Sequence, residues 1–230
     1  MLNIVLIDSE LETIPENMLE DYAVRKYAKE RGKPAREILL DSNFLHAAIE
    51  RYFPGQSNRM GRPDIFYHFL QVAQSSILNL RGGLRIYIHT KNDLVIEVRP
   101  DTRIPKSYNR FVGLIEDLFR KGSVGPEGQK LMATRKSDAL EFLETKLGES
   151  EKILLSPSGT EKKITELFKN QSSHGSEECT VIIGGFSEGD FHTSVYGKYK
   201  GVKIFKDELT IWSVAMEAIC QYERDQGMLS

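Results

Sequence analysis

Four cationic side chains fall within twelve residues in the segment 98–111, which we call the ledge: Arg99, Arg103, Lys106 and Arg110. Pro100 and Pro105 lie between them and stiffen the backbone. Guanidinium and ammonium groups held on a stiff backbone are suited to binding an anion such as a phosphate. The ledge therefore predicts an anion-binding surface.

A second group of interest is Arg62-Pro63-Asp64, which follows a turn-rich stretch at residues 54–58. Pro63 suits the first position of a helix, and Asp64 would then lie in the first turn, where the helix dipole favours a carboxylate. Alternatively, Asp64 pairs with Arg62 or with an arginine of the ledge and fixes its guanidinium for a phosphate or a base edge. The residues alone leave both interpretations open.

A third pattern lies near the C-terminus. The β-branched run at residues 180–183 predicts a buried strand, and it ends at Gly184-Gly185 with Gly189 shortly after. Glycines directly after a buried strand indicate a tight turn or the close approach of the backbone to a ligand. The spacing is not the GxGxxG fingerprint, so it does not by itself identify a cofactor.

The composition sets limits on these sites. The chain has 230 residues, 40% of them hydrophobic, and a formal net charge of -2, so global charge points to neither nucleic acid nor membrane. Residues 51–110, however, hold ten Lys and Arg against four Asp and Glu. The two cysteines, Cys179 and Cys220, lie in apolar stretches, which suits a reducing compartment. With no signal-like N-terminus and no membrane-length apolar run, we expect a soluble, cytoplasmic protein.

Alternation of strands and helices predicts an α/β architecture. The apolar run at residues 2–7 predicts a central strand, residues 84–90 and 94–99 a hairpin with one core face and one wet or bound face, and Tyr108 the start of a packed helix. Residues 121–129 predict a linker or a long surface loop, and residues 172–178 a polar loop.

Two further helices are predicted in the last third of the chain. Ser158 and Glu161 have capping-box spacing for a helix that runs to Phe168. Asp207 is expected to open the last helix. Its buried stripe, at a core or a subunit interface, would be formed by Leu209, Trp212, Met216, Ile219 and Cys220.

Together these segments resemble a known family. Arg62-Pro63-Asp64, the hairpin at residues 86–98, Thr102-Arg103-Ile104-Pro105 with Arg110-Phe111, and Ile183-Gly184-Gly185 are similar to the SPOUT-superfamily methyltransferases that modify N1 of a pseudouridine in small-subunit ribosomal RNA and assist ribosome assembly. The resemblance spans nearly the whole chain. Its most specific part is the Arg-Pro-Asp element combined with Thr-Arg-Ile-Pro at this separation.

The resemblance implies a single α/β domain over residues 1–230, with a SPOUT-type sheet, helices on both faces and a C-terminal trefoil knot. Residues 59–111 would carry the RNA-binding elements and residues 150–230 the knotted cofactor-binding region. The knot would hold S-adenosylmethionine and pack against a second copy in a homodimer. Matched by position, the cofactor would lie near Leu155 and Ser156 and be wrapped by the backbone of Gly184, Gly189, Ile204, Phe205, Lys206, Asp207, Glu208 and Leu209.

On the RNA side, the resemblance implies contacts with small-subunit ribosomal RNA from Arg62, Arg103, Lys106 and Arg110, with Asp64 orienting an arginine. Other ribosome assembly factors are further expected partners. Two features depart from the family: Lys106 replaces an arginine, which keeps the charge but loses the planar fork, and residues 205–210 replace a Ser-Asn/Asp-Tyr-Pro-Leu-Ser segment. Backbone contacts with the cofactor are therefore expected there rather than side-chain contacts.

The expected chemistry needs no metal. Methyl transfer from a sulfonium to a ring nitrogen is an in-line displacement, so holding donor and acceptor in attack geometry is the main task of the enzyme. The catalytic residues implied are Arg62, Asp64 and Arg103. An arginine would stabilise the anion that forms at N1, and Asp64 or a water would take the proton, although an arginine-paired carboxylate is a poor base.

Two alternatives remain from the sequence. The chain could act mainly as an assembly factor that binds the same RNA with little or no methyl transfer, or as a SPOUT enzyme with another RNA target. The glycine loop after residue 183 favours the enzyme, because a binding module needs no cofactor cradle. The pairing of Arg-Pro-Asp with Thr-Arg-Ile-Pro argues against another target.

Overall fold

The computed structural model describes residues 1–169 and 178–228. This part of the chain contains seven α-helices: α1 (Tyr22–Arg31), α2 (Ser42–Tyr52), α3 (Pro63–Gln74), α4 (Ile77–Leu80), α5 (Tyr108–Lys121), α6 (Ala139–Thr145) and α7 (Ile211–Asp225). The strands are β1 (Leu2–Ser9), β2 (Leu84–Thr90), β3 (Leu94–Val98), β4 (Ser123–Val124), β5 (Met132–Lys136), β6 (Glu151–Glu161), β7 (Cys179–Gly184) and β8 (Gly201–Lys203).

These strands form one eight-stranded sheet in the order β4-β5-β3-β2-β1-β7-β6-β8. Five neighbouring strands of this sheet, β2, β1, β7, β6 and β8, run parallel to one another. β3, β5 and β4 extend the sheet beyond β2 through antiparallel pairs. β1 lies between β2 and β7 and is buried along its whole length, which confirms the prediction of a central strand. A strand covered on both faces has no polar side, and this explains its continuous apolar run.

Helices cover both faces of the sheet, as predicted. Leu2, Ile4 and Leu6 of β1 lie in a core that includes buried residues of α3, α5 and α7. Val5 and Ile7 point to the other face, where Phe142 of α6 belongs to the core. A third cluster joins α1 and α2 beside the sheet. Each fully buried aliphatic side chain stabilises the fold by about 1.5–3 kcal/mol, so β1 stabilises the cores on both faces of the sheet.

The predicted hairpin is present, with Ile86 opposite Val98 and Ile88 opposite Ile96. The prediction that its second face is wet or bound is wrong at β2. The side chains of Tyr87 and His89 are buried, and Tyr87 belongs to the core under α6. Alternation in a single hairpin does not reveal that a helix more than fifty residues later covers the polar-looking face.

Three other predictions from the sequence need correction. Residues 121–129, predicted as a linker or a long surface loop, contain β4, which pairs with β5 at the sheet edge, and only the exposed residues 125–129 form a surface loop. The capping-box helix at residues 158–168 is also wrong, because β6 continues through Ser158 to Glu161 and pairs with β8. Apart from Glu178, the predicted loop at residues 172–178 lies outside the described residues.

The third correction concerns α7. The helix begins at Ile211 rather than at Asp207, because the Thr210 side chain caps its N-terminus. Its buried face consists of Ile211, Ala215, Ala218, Ile219 and Tyr222, so only Ile219 of the predicted stripe is fully buried. Trp212, Met216 and Cys220 are half-buried. No helix in the described ranges is long and apolar enough to span a bilayer.

Candidate functional site

The ledge runs from the end of β3 into the first turn of α5. Residues 99–107 between them have no regular structure, but side chains of α3 hold carbonyl groups there. Gln71 donates to the Pro105 carbonyl at 2.8 Å, and the Tyr67 hydroxyl donates to the Lys106 carbonyl. Buried or half-buried carbonyls need such partners when no strand or helix supplies them. The ledge backbone is therefore fixed against α3.

Three cations of the ledge face solvent. Arg103, Lys106 and Arg110 are exposed, and none of them forms a side-chain hydrogen bond or ion pair with the residues that the structure describes. Arg99 differs, since its guanidinium pairs with Asp101 at 3.0 Å. Three unpaired cations on a fixed backbone form a surface ready to bind an anion without first breaking internal ion pairs.

Arg62 and Asp64 form a bidentate pair at the start of α3. Arg62 Nε donates to Asp64 Oδ1 and Nη2 donates to Oδ2, both at 2.9 Å. Pro63 occupies the first helical position and Asp64 lies in the first turn, so Asp64 has the helix position of one interpretation and the pairing with Arg62 of the other. The hydrogen bonds from Asp64 raise the pKa of Arg62, which keeps this guanidinium charged and oriented.

A cleft opens at the carboxyl ends of β6 and β7, the edge of a parallel sheet where ligands usually bind. The predicted cofactor residues that line it come from three segments: Leu155, Ser156, Gly184, Gly189, Ile204, Phe205, Asp207, Glu208 and Leu209. Lys206 is not among the lining residues, and its exposed ammonium lies 4.0 Å from the Asp207 carboxylate.

The charge of the cleft is opposite to that of the ledge. Four carboxylate side chains line the cleft, from Glu188, Asp190, Asp207 and Glu208, against one cation, Lys203. Apolar side chains supply much of the remaining wall. Such a cleft favours a ligand that combines an apolar body with positive charge and disfavours a phosphate.

Two of the three glycines singled out from the sequence, Gly184 and Gly189, line this cleft. A Cβ on Gly184 would lie 2.5 Å from the ring of Phe186, so the loop could not fold back over the end of β7 with a larger residue there. Gly189 has a φ of 81°, in the left-handed region that favours glycine. The residues between them form a turn that closes one side of the cleft.

Asp8, near the end of the central strand, fastens the chain that follows Gly189. Asp8 adopts a φ of 57°, and its carboxylate accepts the backbone N–H groups of His192 and Thr193 at 2.7 and 2.8 Å. It also accepts the Thr193 hydroxyl at 2.6 Å. Asp is one of the few residues that tolerates left-handed backbone, so the carboxylate can turn away from β1 toward the loop.

Glu10 lies two residues further and joins the cleft to Arg62. Its carboxylate accepts the backbone N–H of Ser187 at 3.2 Å, and its carbonyl accepts the backbone N–H of Arg62 at 2.9 Å. The Glu10 side chain is buried, and burial raises the pKa of its carboxyl while the nearby Lys91 ammonium opposes this. Glu10 therefore contacts both the loop that lines the cleft and the start of α3.

Comparison with known proteins identifies the family. Residues 4–223 match the family model described as EMG1/NEP1 methyltransferase. The chain belongs to the EMG1/NEP1 methyltransferase family. This membership confirms the family indicated by Arg62-Pro63-Asp64 and Thr102-Arg103-Ile104-Pro105.

Curated relatives in this family match the chain over its full length. The chain is 50% identical over 229 residues to a "Ribosomal RNA small subunit methyltransferase Nep1" of Thermoplasma volcanium, covering 100% of both chains. It is 46% identical to the protein of the same name from Thermoplasma acidophilum, covering 99% of this chain and 100% of the relative.

A solved structure agrees with the fold. The crystal structure of Archaeoglobus fulgidus Nep1 bound to S-adenosylhomocysteine superposes with a TM-score of 0.84 at 29% identity and covers 98% of each chain. The eight-stranded α/β sheet therefore has the architecture of this family.

Some site residues escape detection in the sequence. Asp8 and Glu10 look like ordinary polar residues after a strand, and Arg59 is one of many cations in its region. The signal for Asp8 and Glu10 is their position, because residues at the carboxyl end of a central parallel strand reach the ligand-binding edge of the sheet. Nothing in the sequence pairs Arg59 with Glu10, or with Glu188 and Asp190 more than one hundred residues later.

Proposed function

We propose that this protein is an S-adenosylmethionine-dependent methyltransferase that methylates N1 of a pseudouridine in small-subunit ribosomal RNA and takes part in ribosome biogenesis. The observation that carries the proposal is the junction at Glu10, which links an acid-lined cleft to the cationic segment at Arg62. Membership in the family and the names of the relatives support the reaction and the RNA.

The cleft residues fit S-adenosylmethionine. The apolar wall of the cleft suits an adenosine, and the carboxylates of the cleft suit a ligand that carries an ammonium and a sulfonium. Backbone groups would hold the cofactor, as the family resemblance implies, at the predicted residues that line the cleft: Gly184, Gly189, Ile204, Phe205, Asp207, Glu208 and Leu209. When bound, the cofactor supplies the methyl group, and the relative crystallised with S-adenosylhomocysteine supports this assignment.

The ledge and the Arg62–Asp64 pair would hold the RNA. Arg103, Lys106 and Arg110 present free charges to phosphates, while Arg62 presents a guanidinium already oriented by Asp64. Charges that are fixed before the RNA arrives lose less entropy on binding. A flipped nucleotide would then be held between the cationic surface and the cleft.

The proton of pseudouridine N1 goes to water in this proposal. Both oxygens of Asp64 already accept hydrogen bonds from Arg62, which leaves Asp64 poorly suited to act as a base. Arg62 or Arg103 would stabilise the negative charge that develops on the ring as the N1–H bond is lost. The new N1–carbon bond forms as the methyl–sulfur bond breaks.

The test uses labelled S-adenosylmethionine and one RNA hairpin, made with uridine or with pseudouridine at the same loop position. Transfer of label to the pseudouridine hairpin alone supports the proposal. Tight binding of both hairpins without transfer supports the assembly-factor alternative instead. Transfer to the uridine hairpin would contradict the pseudouridine specificity.

We further propose that the chain forms a single domain, with a trefoil knot in residues 150–230, and works as a cytoplasmic homodimer alongside other ribosome assembly factors. The resemblance to the SPOUT-superfamily methyltransferases supports the knot. Trp212, Met216 and Cys220 on α7 are half-buried and would be covered by a second copy. Sedimentation equilibrium tests the dimer, and a concentration-independent monomer mass would contradict it.

A further inference from the structure

Arg59 reaches from the segment before α3 into the loop that closes the cleft. Its Nη1 donates to the Glu188 carbonyl at 2.6 Å, and its Nη2 lies 3.3 Å from the Asp190 carbonyl. Although both acceptors lie at the surface, only 13% of the Arg59 side chain is exposed. The guanidinium is therefore built into the loop rather than extended into solvent.

The remaining edge and one face of the guanidinium are also occupied. Arg59 Nε lies 2.9 Å from Glu10 Oε1. The ring of Phe186 lies 4.5 Å from the guanidinium carbon, and His192 Nε2 lies 3.1 Å from Nη2. A lysine in this place would keep the charge but lose the planar fork that contacts several groups at once.

The backbone around Arg59 is fixed from the other side. The Asn58 carbonyl accepts the hydroxyl of Ser187, and the Lys91 ammonium donates to the Arg59 carbonyl. Ser187 also donates to Glu10, so loop and segment share a carboxylate as well as direct hydrogen bonds. Three residues later the same segment becomes Arg62-Pro63-Asp64.

Gly189 fits this arrangement closely. A Cβ there would lie 2.3 Å from Arg59 Nη1, a distance at which the guanidinium must move. The guanidinium is held by Glu10 and Phe186, so moving it disturbs both. The absence of a side chain at residue 189 therefore serves Arg59 as well as the backbone conformation.

We propose that Arg59 is a positioning residue that couples cofactor binding in the cleft to RNA binding at Arg62. Residues 58–62 and the loop at 186–190 are joined so that ordering one orders the other, and a ligand on either side then favours the ligand on the opposite side. This inference rests on the proposed function, since it takes the cleft as the cofactor site and the start of α3 as an RNA site.

The test measures S-adenosylhomocysteine affinity by calorimetry, with and without the pseudouridine hairpin, for the wild type, Arg59→Lys, Arg59→Ala and Arg25→Ala. Arg25 is a matched control because its ion pair with Glu20 is exposed. We expect the hairpin to tighten binding by roughly fivefold or more in the wild type and in Arg25→Ala, and this ratio to fall toward one in both Arg59 variants. A merely structural role for Arg59 would lower affinity without changing the ratio, so equal ratios in the wild type and Arg59→Lys would overturn the inference.

A double-mutant cycle with Gly189→Ala gives a second measurement that does not depend on the folding of Arg59→Ala. The added methyl clashes with Arg59, so Gly189→Ala should weaken S-adenosylhomocysteine binding more in the wild type than in Arg59→Lys, which leaves more room. Additive effects of the two changes would contradict the contact between Arg59 and residue 189.

If the wild type couples the two ligands but transfers no methyl group, the proposed function fails and this inference stands. If it transfers the methyl group and Arg59→Lys couples normally, only this inference fails.

Discussion

The Arg62 guanidinium and the Asp64 carboxylate meet edge to edge through two hydrogen bonds of 2.9 Å across a single intervening residue. That residue is Pro63, at the first position of α3. Proline fixes its own φ and restricts the residue before it, so the start of the helix sets the direction in which Arg62 points. A local sequence of three residues thus produces an oriented cation without help from distant side chains.

Asp64→Asn should weaken RNA binding by about tenfold, because an amide cannot accept both guanidinium hydrogen bonds or balance the charge. Cofactor affinity should stay within about twofold, since Asp64 does not line the cleft. Fluorescence anisotropy with the labelled hairpin measures the first quantity and calorimetry with S-adenosylhomocysteine the second. Asp117→Asn serves as the control, because Asp117 also pairs with cations but on the exposed side of α5. Equal RNA affinities for the two variants would contradict a role for Asp64 in orienting Arg62.

Arg103→Ala should weaken RNA binding and leave cofactor binding unchanged. The Arg103 side chain is exposed and free of described partners, so its loss removes a phosphate contact without breaking an internal ion pair. The slope of log affinity against log salt should fall by about 0.7, the value for one contact with single-stranded RNA. Anisotropy titrations over a range of salt concentrations measure the slope. Equal losses of RNA and cofactor affinity would rule out the proposed division between ledge and cleft.

The sequence predicts well where local pattern decides the structure. The run at Leu2–Ser9 could only be a covered strand, and the spacing of apolar residues after Tyr108 fixed α5. The helix start at Pro63 and the pairing of Asp64 with Arg62 could also be predicted, because both depend on three consecutive residues. In each case the residues that determine the structure lie within one or two turns of each other.

The prediction fails where partners come from distant parts of the chain. Ser158 and Glu161 have the spacing of a helix cap, yet pairing with β8 some forty residues later draws them into a strand. Tyr87 looks solvent-facing until α6 covers it. Arg59 shows the same limit at the site, because its contacts with Glu10 and Glu188 depend on the sheet order. Tertiary contacts override local preference in all these places.

Asp8 offers a prediction that separates charge from backbone conformation. Asp8→Ala should lower the free energy of unfolding by about 2–4 kcal/mol, because three hydrogen-bond donors lose their acceptor and alanine is strained at positive φ. Asp8→Asn should cost less, since asparagine tolerates this conformation and keeps one acceptor oxygen. Urea denaturation gives both values, and S-adenosylhomocysteine affinity should follow the same order. If the two variants were equally stable, the positive φ would carry no strain.

Glu12 should make stability depend on pH. Its carboxylate accepts the backbone N–H of Gly61 at 2.7 Å, and burial raises its pKa from 4.5 to about 7, with Gly61 and Lys91 acting in the opposite direction and Glu10 adding to the rise. A carboxyl with a higher pKa in the folded protein binds a proton more tightly there than in the unfolded chain. Its stabilising contribution is therefore complete below about pH 4.5 and is lost as the pH rises to about 7.

Glu12→Gln should remove this dependence, because glutamine stays neutral and keeps an oxygen for the Gly61 N–H. Relative to this variant, the wild type should lose up to about 3 kcal/mol of unfolding free energy between about pH 4.5 and about pH 7, the equivalent of the pKa difference. Urea denaturation of both proteins at several pH values gives the comparison. Glu16→Gln, at an exposed carboxylate, should follow the wild type at every pH. Parallel curves for the wild type and Glu12→Gln would mean that Glu12 is ionised in the folded protein throughout this range, with Lys91 and the Gly61 N–H outweighing the effect of burial.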